Sequence, residues 1–416
     1  MKYVAKYLLF LFCMCSGLAY AQEPKAFSSM TLAATEAAIK AGLDVNSHDE
    51  KNATALMWAV AHNPDPEVIA ALIRAGADVN ARDTSDNTVL IWAVANNPRA
   101  EVIAELVKAG ADVNAKTDGG ATVLIIAAAN NPNPEVIRVL VKAGAEVNFK
   151  IEAGSTALFF AAEFNKKPEI IAELASAGAD VNMRDTLGVT PLCKAAAWNT
   201  NPAVITALIK AGAEVTERDK NGATPLFEAA KYNRNPEVVT ALVKAGVDVN
   251  AKDQEGMTAL MGSAQYNNNP EMITALVNAG AEVNSCDDKG MTALMRAARI
   301  SPNPEVISAL VKAGADVNAT NKDGHTPIIA AAQMNSCSDI VSALASAGAE
   351  VNATDKFGYT ALIEAAWHNR NPEVIMALLK AGADAKLTTK SGKTAFDYAK
   401  ENEHLKDSPA CSALSQ

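Results

Sequence analysis

Residues 54–80 read TALMWAVAHNPDPEVIAALIRAGADVN, and the same layout returns every 34 residues along the chain. One series of glycines follows this period without a slip: Gly42, Gly76, Gly110, Gly144, Gly178, Gly212, Gly246, Gly280, Gly314, Gly348 and Gly382. A series of threonines keeps the same step: Thr54, Thr88, Thr122, Thr156, Thr190, Thr224, Thr258, Thr292, Thr326, Thr360 and Thr394. So regular a period predicts a stack of similar structural units rather than several globular domains.

Each unit is predicted to hold two short helices. The hydroxyl of Thr54 can cap the first helix, and apolar residues follow at helical spacing. We expect this helix to end at Asn63, because asparagine readily adopts the left-handed backbone that closes a helix. Pro66 and Glu67 favour the start of a second helix, and Gly76 ends it. A pair of this size cannot bury its own apolar face, so neighbouring units must stack.

A tight turn is predicted between consecutive units. Most units carry glycine two residues before the next threonine, as at Gly120 and Gly154. The first two units carry Asn52 and Asp86 there, and these residues also tolerate a positive φ. Aspartate recurs a few residues earlier in many units, and we expect it to cap the turn. A calcium array is the alternative, but one carboxylate per unit offers too few ligands.

The residue content of the units resembles the ankyrin repeat. Thr190-Pro191-Leu192 and Thr224-Pro225-Leu226 start two units, and Ala-Gly-Ala-Asp-Val-Asn follows the second helix at residues 75–80. The tetratricopeptide repeat shares the 34-residue step, but its pattern of large aromatic and small residues is missing. The resemblance implies an all-α, ankyrin-type solenoid of stacked helix pairs with short hairpin turns.

Two features depart from the usual ankyrin pattern. The usual unit has 33 residues, and the extra residue here falls between the two helices. The histidine that usually follows Thr-Pro-Leu is replaced by Met57, Ile91, Ile125, Phe159, Cys193 or Phe227. We therefore expect apolar contacts between neighbouring first helices where the family has hydrogen bonds.

The remaining segments flank the repeats. Lys2, Lys6, an apolar run over residues 7–15 and small residues up to Ala21 are typical of a cleaved secretory signal, predicted at 1–21. A partial capping repeat is predicted within 22–46, ten repeats within 47–386, a capping half-repeat at 387–405 and a loose tail at 406–416. A periplasmic or secreted protein is the corresponding expectation.

Composition and motifs favour no catalytic function. The net charge of −10 disfavours nucleic acid as a partner. No stretch after the signal is long and apolar enough to span a membrane, so no membrane insertion of the mature chain is expected. The five histidines, His48, His62, His325, His368 and His404, show no zinc spacing, and no phosphate-binding loop or nucleophile motif is found. We therefore predict a monomeric, non-enzymatic protein without cofactor or metal. Free thiols are expected at Cys193, Cys286, Cys337 and Cys411, with a Cys337–Cys411 link as the alternative.

Two positions of the first helix are candidates for partner binding. The first series reads Trp58, Trp92, Ile126, Phe160, Lys194, Glu228, Gly262, Arg296, Ala330 and Glu364. The second, four residues later, reads His62, Asn96, Asn130, Phe164, Trp198, Tyr232, Tyr266, Ile300, Met334 and His368. Both accept polar residues, so we expect them to be at least partly exposed on one helix face, which is concave in ankyrin-like folds.

Large apolar side chains pass from the first series to the second along the chain, which predicts a diagonal binding stripe. Its members are Trp58, Trp92, Ile126, Phe160, Phe164, Trp198, Tyr232 and Tyr266, with Trp367 near the far end. Tryptophan and tyrosine are enriched at interface hot spots. The alternative is that these residues pack on neighbouring units. Turn tips at Phe149, Ile151, Leu187, Phe357 and Tyr359 add to the surface that the resemblance implies.

The predicted function is a protein-binding scaffold in the periplasm or outside the cell. The alternative is a structural or protective partner of a single exported enzyme. An enzyme with a site hidden in the groove is the third hypothesis, for which the sequence nominates no residue.

Overall fold

The computed structural model describes residues 30–42, 44–63 and 65–415, so the predicted signal segment at 1–21 lies outside the described residues. The described residues form helices and turns without a β-strand. In chain order the helices are α1 (Leu32–Lys40), α2 (Ala55–His62), α3 (Pro66–Arg74), α4 (Val89–Asn96), α5 (Ala100–Lys108), α6 (Val123–Asn130), α7 (Pro134–Lys142), α8 (Ala157–Phe164), α9 (Pro168–Ser176), α10 (Pro191–Trp198), α11 (Pro202–Lys210), α12 (Pro225–Tyr232), α13 (Glu237–Lys244), α14 (Ala259–Tyr266), α15 (Pro270–Asn278), α16 (Ala293–Ile300), α17 (Pro304–Lys312), α18 (Pro327–Met334), α19 (Ser338–Ser346), α20 (Ala361–His368), α21 (Pro372–Lys380), α22 (Ala395–Glu401) and α23 (Pro409–Ala413).

The chain divides into two compact units. Unit 1 comprises the residues up to Ala195 together with Ala203–Ala213. Unit 2 comprises Ala196–Pro202 together with the residues from Glu214 onward. In unit 1 the first helices α2, α4, α6 and α8 pack in sequence, as do the second helices α1, α3, α5, α7 and α9. In unit 2 the first helices run from α12 to α22 and the second helices from α13 to α23 in the same manner. Each unit is therefore a stack of helix pairs, as predicted.

The local signals act as the sequence indicates. The Thr54 hydroxyl accepts a hydrogen bond from the Met57 amide at the start of α2. The Asn133 side chain accepts one from the Glu135 amide at the start of α7. Gly76 ends α3 with φ of 91°. These caps satisfy backbone groups that a short helix leaves without partners.

The turns between consecutive repeats also adopt the predicted backbone. Asn52 and Asp86 adopt φ of 58° and 63°, and Gly120 adopts 78°. Where an aspartate precedes the turn, its side chain holds the turn: in unit 1, Asp83 Oδ1 accepts hydrogen bonds from the amides of Ser85 and Asn87. The expectation that these aspartates cap turns is therefore confirmed.

One predicted mechanism is wrong. Asn63 ends α2 with φ −84° and ψ 124°, an extended rather than a left-handed backbone. The same holds at Asn97, Asn131, Asn165, Asn233, Asn267, Asn335 and Asn369, where the backbone is extended at the end of each first helix. Asparagine is therefore needed at this position for its side chain and not for its backbone freedom.

These asparagines form a buried hydrogen-bonded ladder. In unit 1, Asn131 Nδ2 donates to the carbonyls of Val94 and Asn97, both at 2.9 Å. Its Oδ1 accepts from the Asn133 amide at 3.0 Å. In unit 2, Asn267 Nδ2 donates in the same way to Ala230 and Asn233. Each rung therefore joins one repeat to the repeat before it and supplies partners to carbonyls that burial removes from water.

The apolar replacements of the family histidine are buried, as expected. Met57 and Ile91 are fully buried, and Phe159, Cys193 and Phe227 are at most 5% exposed. In unit 2, the ring of Phe227 lies so close to Gly262 that an added Cβ there would be 3.2 Å from it. At this repeat position, apolar side chains therefore fill the interior where the usual ankyrin pattern has a histidine and its hydrogen bonds.

The segment at 406–416, expected to be a loose tail, contains a packed helix. Helix α23 contacts the second helix α21, and Ala410, Cys411 and Leu414 are buried. Ser408 caps α23 through its hydroxyl, to which the Cys411 amide donates. The small apolar residues over 410–414 therefore complete a last helix pair. The thiols of Cys286, Cys337 and Cys411 are free, and the alternative Cys337–Cys411 link is not formed.

None of the helices within the described residues combines the length and the apolar character that crossing a membrane requires.

Candidate protein-binding surface

The first predicted series is buried in unit 1. Trp58 and Trp92 are 7% and 8% exposed, and Ile126 and Phe160 are likewise buried. The expectation of exposure is therefore wrong at these four positions. Charged residues occupy other members of the series, such as half-buried Lys194. A long charged side chain can bury its stem and keep its head in water, so tolerance of charge did not imply exposure of a ring.

The two tryptophans of unit 1 are fixed by polar contacts. Trp58 Nε1 donates to Asp49 Oδ2 at 3.2 Å, and Trp92 Nε1 donates to Asp83 Oδ2 at 2.9 Å. The two rings also meet edge to face with centroids 5.3 Å apart. Each indole therefore packs on its neighbour and joins the first helix to the turn before it.

The second predicted series is exposed in unit 2. We call its five consecutive members the apolar row: Trp198, Tyr232, Tyr266, Ile300 and Met334. Their exposed fractions lie between 39% for Tyr232 and 55% for Met334. Each is the last residue of a first helix, α10, α12, α14, α16 or α18. The repeat therefore places five large apolar side chains at one recurring surface position.

Aromatic contacts order one end of the apolar row. Trp198 and Tyr232 are stacked with ring centroids 5.1 Å apart. The ammonium of Lys231 lies 4.8 Å from the ring centre of Tyr232 and 4.7 Å from that of Tyr266. Stacked rings beneath a cation lose little conformational freedom when a partner binds.

Unit 1 has no equivalent of the apolar row among its described residues. The same position holds His62, Asn96 and Asn130, and half-buried Phe164 packs on Phe160 with ring centroids 6.3 Å apart. His62 stacks on Trp58 with centroids 5.6 Å apart. Desolvation of this imidazole lowers the pKa of His62 below its ordinary value.

Trp367 belongs to a separate aromatic cluster in unit 2. It is 45% exposed and lies 5.5 Å from Tyr359 and 5.1 Å from Tyr398, measured between ring centroids. The hydroxyls of Tyr359 and Tyr398 are 3.4 Å apart, and this hydrogen bond raises the pKa of Tyr359 to about 12. Tyr398 was not predicted, although it lies 34 residues after Glu364 and so continues the first series.

The turn tips are unequally exposed. Leu187 and Phe357 are 64% and 58% exposed, whereas Phe149, Ile151 and Tyr359 are half-buried. Lys116 Nζ lies 4.0 Å from the centre of the Phe149 ring. Phe357 and Tyr359 also border a cavity of about 520 Å³ in unit 2, whose wall includes Trp367 and His325.

Comparison with known proteins identifies the family. The model described as ankyrin repeats (3 copies) matches residues 26–117, 99–185, 158–253, 192–287, 226–321 and 260–355. The model described as ankyrin repeats (many copies) matches residues 344–399. No curated protein is similar enough to count as a match. Because the matches extend without a gap from residue 26 to residue 399, the chain belongs to the ankyrin repeat family.

Proposed function

We propose that this chain is a monomeric, non-catalytic scaffold that binds a protein partner, in the periplasm or after secretion, through the apolar row of unit 2. Ankyrin repeats generally mediate protein–protein interaction. The observation that carries the proposal is the exposure of five large apolar side chains at one repeat position, Trp198 to Met334. Exposed apolar side chains in a contiguous set are typical of interaction sites.

The predicted stripe is revised by this proposal. Trp198, Tyr232 and Tyr266 keep their role as binding residues, and Ile300 and Met334 are added from the same series. Trp367, with its two tyrosine neighbours, forms a second candidate contact. Burial of Trp58, Trp92, Ile126 and Phe160 gives them a role in the core of unit 1, so a partner would reach them only at their edges.

Site-specific crosslinking tests the proposed surface. A photo-reactive amino acid replaces Tyr266 in the full chain, expressed in its own host. The matched control carries it at Met376, which is 40% exposed on the second helix α21 of the same unit. We expect a discrete crosslinked protein from position 266 and none from position 376. Equal crosslinking from both positions, or none from position 266, would contradict the proposal.

The identity of the crosslinked species separates two functions. A general scaffold gives several proteins, whereas a protective partner of one exported enzyme gives a single enzyme in stoichiometric amount. Export is tested on the same material: cleavage after Ala21 leaves a mature chain that begins at Gln22, which mass spectrometry detects. An intact amino terminus in the purified protein would contradict the proposed route.

A further inference from the structure

The repeat places a donor beside each of several turn aspartates. Oδ2 of Asp83 accepts from the indole of Trp92, nine residues later. At the corresponding place in unit 2, Asp287 is paired with Arg296, also nine residues later. The side chain of Asp287 is only 1% exposed, so its charge needs a partner of this kind.

Asp355 breaks this pattern. The residue nine positions later is Glu364, so a second carboxylate stands where Arg296 stands beside Asp287. The side chains of Asp355 and Glu364 are 1% and 5% exposed. Two buried carboxylates side by side are unfavourable unless a positive charge lies between them.

A histidine completes the group. His325 Nε2 lies 3.4 Å from Asp355 Oδ2. One ligand atom from each of His325, Asp355 and Glu364 lies within 4.8 Å of the other two. Among the described residues, this is the grouping of histidine, cysteine and acidic side chains that could share one ion. A tetrahedral ion with bonds of about 2.1 Å holds its ligand atoms about 3.4 Å apart, which matches the His325–Asp355 pair.

Neighbouring groups fix both carboxylates. Asp355 Oδ1 accepts from the amides of Phe357 and Tyr359, each at 2.8 Å, which leaves Oδ2 directed at His325. Glu364 Oε2 accepts from Gln333 Nε2 at 3.1 Å and from His368 Nδ1 at 2.9 Å. Hydrogen bonds of this kind orient ligands in metal sites. The 520 Å³ cavity, lined also by Trp367, gives an ion and a water molecule access from solvent.

We propose that His325, Asp355 and Glu364 bind a divalent transition-metal ion of the zinc class. One imidazole nitrogen and two carboxylate oxygens suit zinc, whereas calcium takes about six to eight oxygen ligands. Three protein ligands leave the fourth tetrahedral position to water or to an incoming side chain. The sequence did not reveal the site because its ligands come from two consecutive repeats, 30 and 9 residues apart, with no short spacing between histidines.

Zinc titration of the purified full-length mature protein tests the site. After treatment with a chelator, isothermal titration calorimetry should show one high-affinity zinc ion per chain. His325→Ala should weaken binding by at least about 100-fold, the upper range seen when mere supporting residues of metal sites are lost. His404→Ala is the matched control, because His404 is exposed and lies outside the group. Wild-type affinity in His325→Ala would overturn the proposal.

A second variant uses the repeat itself as its template. Glu364→Arg recreates beside Asp355 the pairing of Asp287 with Arg296, and Gln333 occupies the position of Gln265, which accepts from Arg296. The variant should fold, as judged by circular dichroism, and should bind no zinc at the same site. Full zinc binding by folded Glu364→Arg would overturn the proposal.

X-ray absorption of the zinc-loaded wild type keeps the test decisive if either variant fails to fold. Nitrogen and oxygen ligands are expected around the zinc. Sulfur ligands would assign the ion to cysteines and overturn the proposal. These measurements need no protein partner, so they stand or fall independently of the apolar row.

Discussion

Unit 1 and unit 2 are built from one repeat but place their aromatic side chains differently. In unit 1, Trp58 and Trp92 are buried and bind turn aspartates through their indole nitrogens. In unit 2, Trp198, Tyr232 and Tyr266 end first helices and are exposed. Two positions four residues apart on the same helix therefore give a core contact in one unit and a surface in the other. The scaffold is common to both units, and the proposed binding surface belongs to one.

The largest difference between the two units is expected in the free energy of unfolding when an aromatic side chain is replaced by alanine. Trp92→Ala should lower the free energy of unfolding by about 3–5 kcal/mol, because it leaves a cavity and removes one of the two hydrogen bonds that Asp83 Oδ2 accepts. Tyr266→Ala, the control in unit 2, should cost less than about 1 kcal/mol because half of its surface is already in water. Denaturant unfolding with native-state hydrogen exchange measures both. Equal losses would contradict the assignment of the two positions.

Replacing an asparagine of the ladder by alanine should lower the stability of both units by a similar amount. Asn131→Ala in unit 1 and Asn267→Ala in unit 2 each remove two donated bonds and one accepted bond at a buried site. We expect each to cost about 2–4 kcal/mol, since the carbonyls left behind lose their partners. Hydrogen exchange within each unit gives the two values. A large effect in only one unit would show that the ladder is not common to both.

The ladder has one natural gap, which offers a stabilising change. Ser301 stands where other repeats carry asparagine; it is 1% exposed, and its hydroxyl accepts from the Asn303 amide at 3.2 Å. Ser301→Asn should add bonds to the carbonyls of Ala264 and Asn267, and it should raise the free energy of unfolding by about 1 kcal/mol. Thermal unfolding with and without the change measures the gain. A loss of stability would show that this repeat has no room for the rung.

The smallest expected effect concerns His62 of unit 1. Because burial against Trp58 lowers its pKa below 6.5, the unfolded chain binds a proton more readily than the folded chain. The free energy of unfolding should therefore fall as the pH drops from about 6.5 through the pKa of His62 in the folded chain. Above about pH 6.5 the ionisation of His62 should not change it. His62→Asn, which copies Asn96 of the next repeat, should flatten this dependence. An NMR titration that places the pKa of His62 at or above 6.5 would contradict the burial argument.

Much of the fold could be predicted from the sequence because the same local signals recur in every repeat. The period, the threonine caps, the turn residues with positive φ and the two helices per unit all depend on neighbouring residues. The exception is Asn63 and its equivalents. Their side chains bond to carbonyls 34 and 37 residues earlier, as Asn131 does to Asn97 and Val94, and that contact exists only after stacking. The sequence near Asn63 therefore indicates where the helix ends but not the contact that requires asparagine there.

The candidate surface was predictable only in part. The series at Trp198, Tyr232 and Tyr266 was recognised, but the burial of Trp58 and Trp92 depends on an aspartate from the preceding turn and on the next repeat. The group of His325, Asp355 and Glu364 likewise forms only when two repeats stack. Tolerance of charge at one repeat position did not distinguish a buried ring from a snorkelling lysine.

An affinity measurement with two variants decides whether the apolar row of unit 2 binds a protein partner. The partner recovered by crosslinking at position 266 is titrated against the wild-type chain, against Tyr266→Lys and against Met376→Lys. We expect at least about 30-fold weaker binding for Tyr266→Lys, the effect of losing one hot-spot side chain, and an unchanged affinity for Met376→Lys. Unchanged affinity in a folded Tyr266→Lys variant would contradict this expectation.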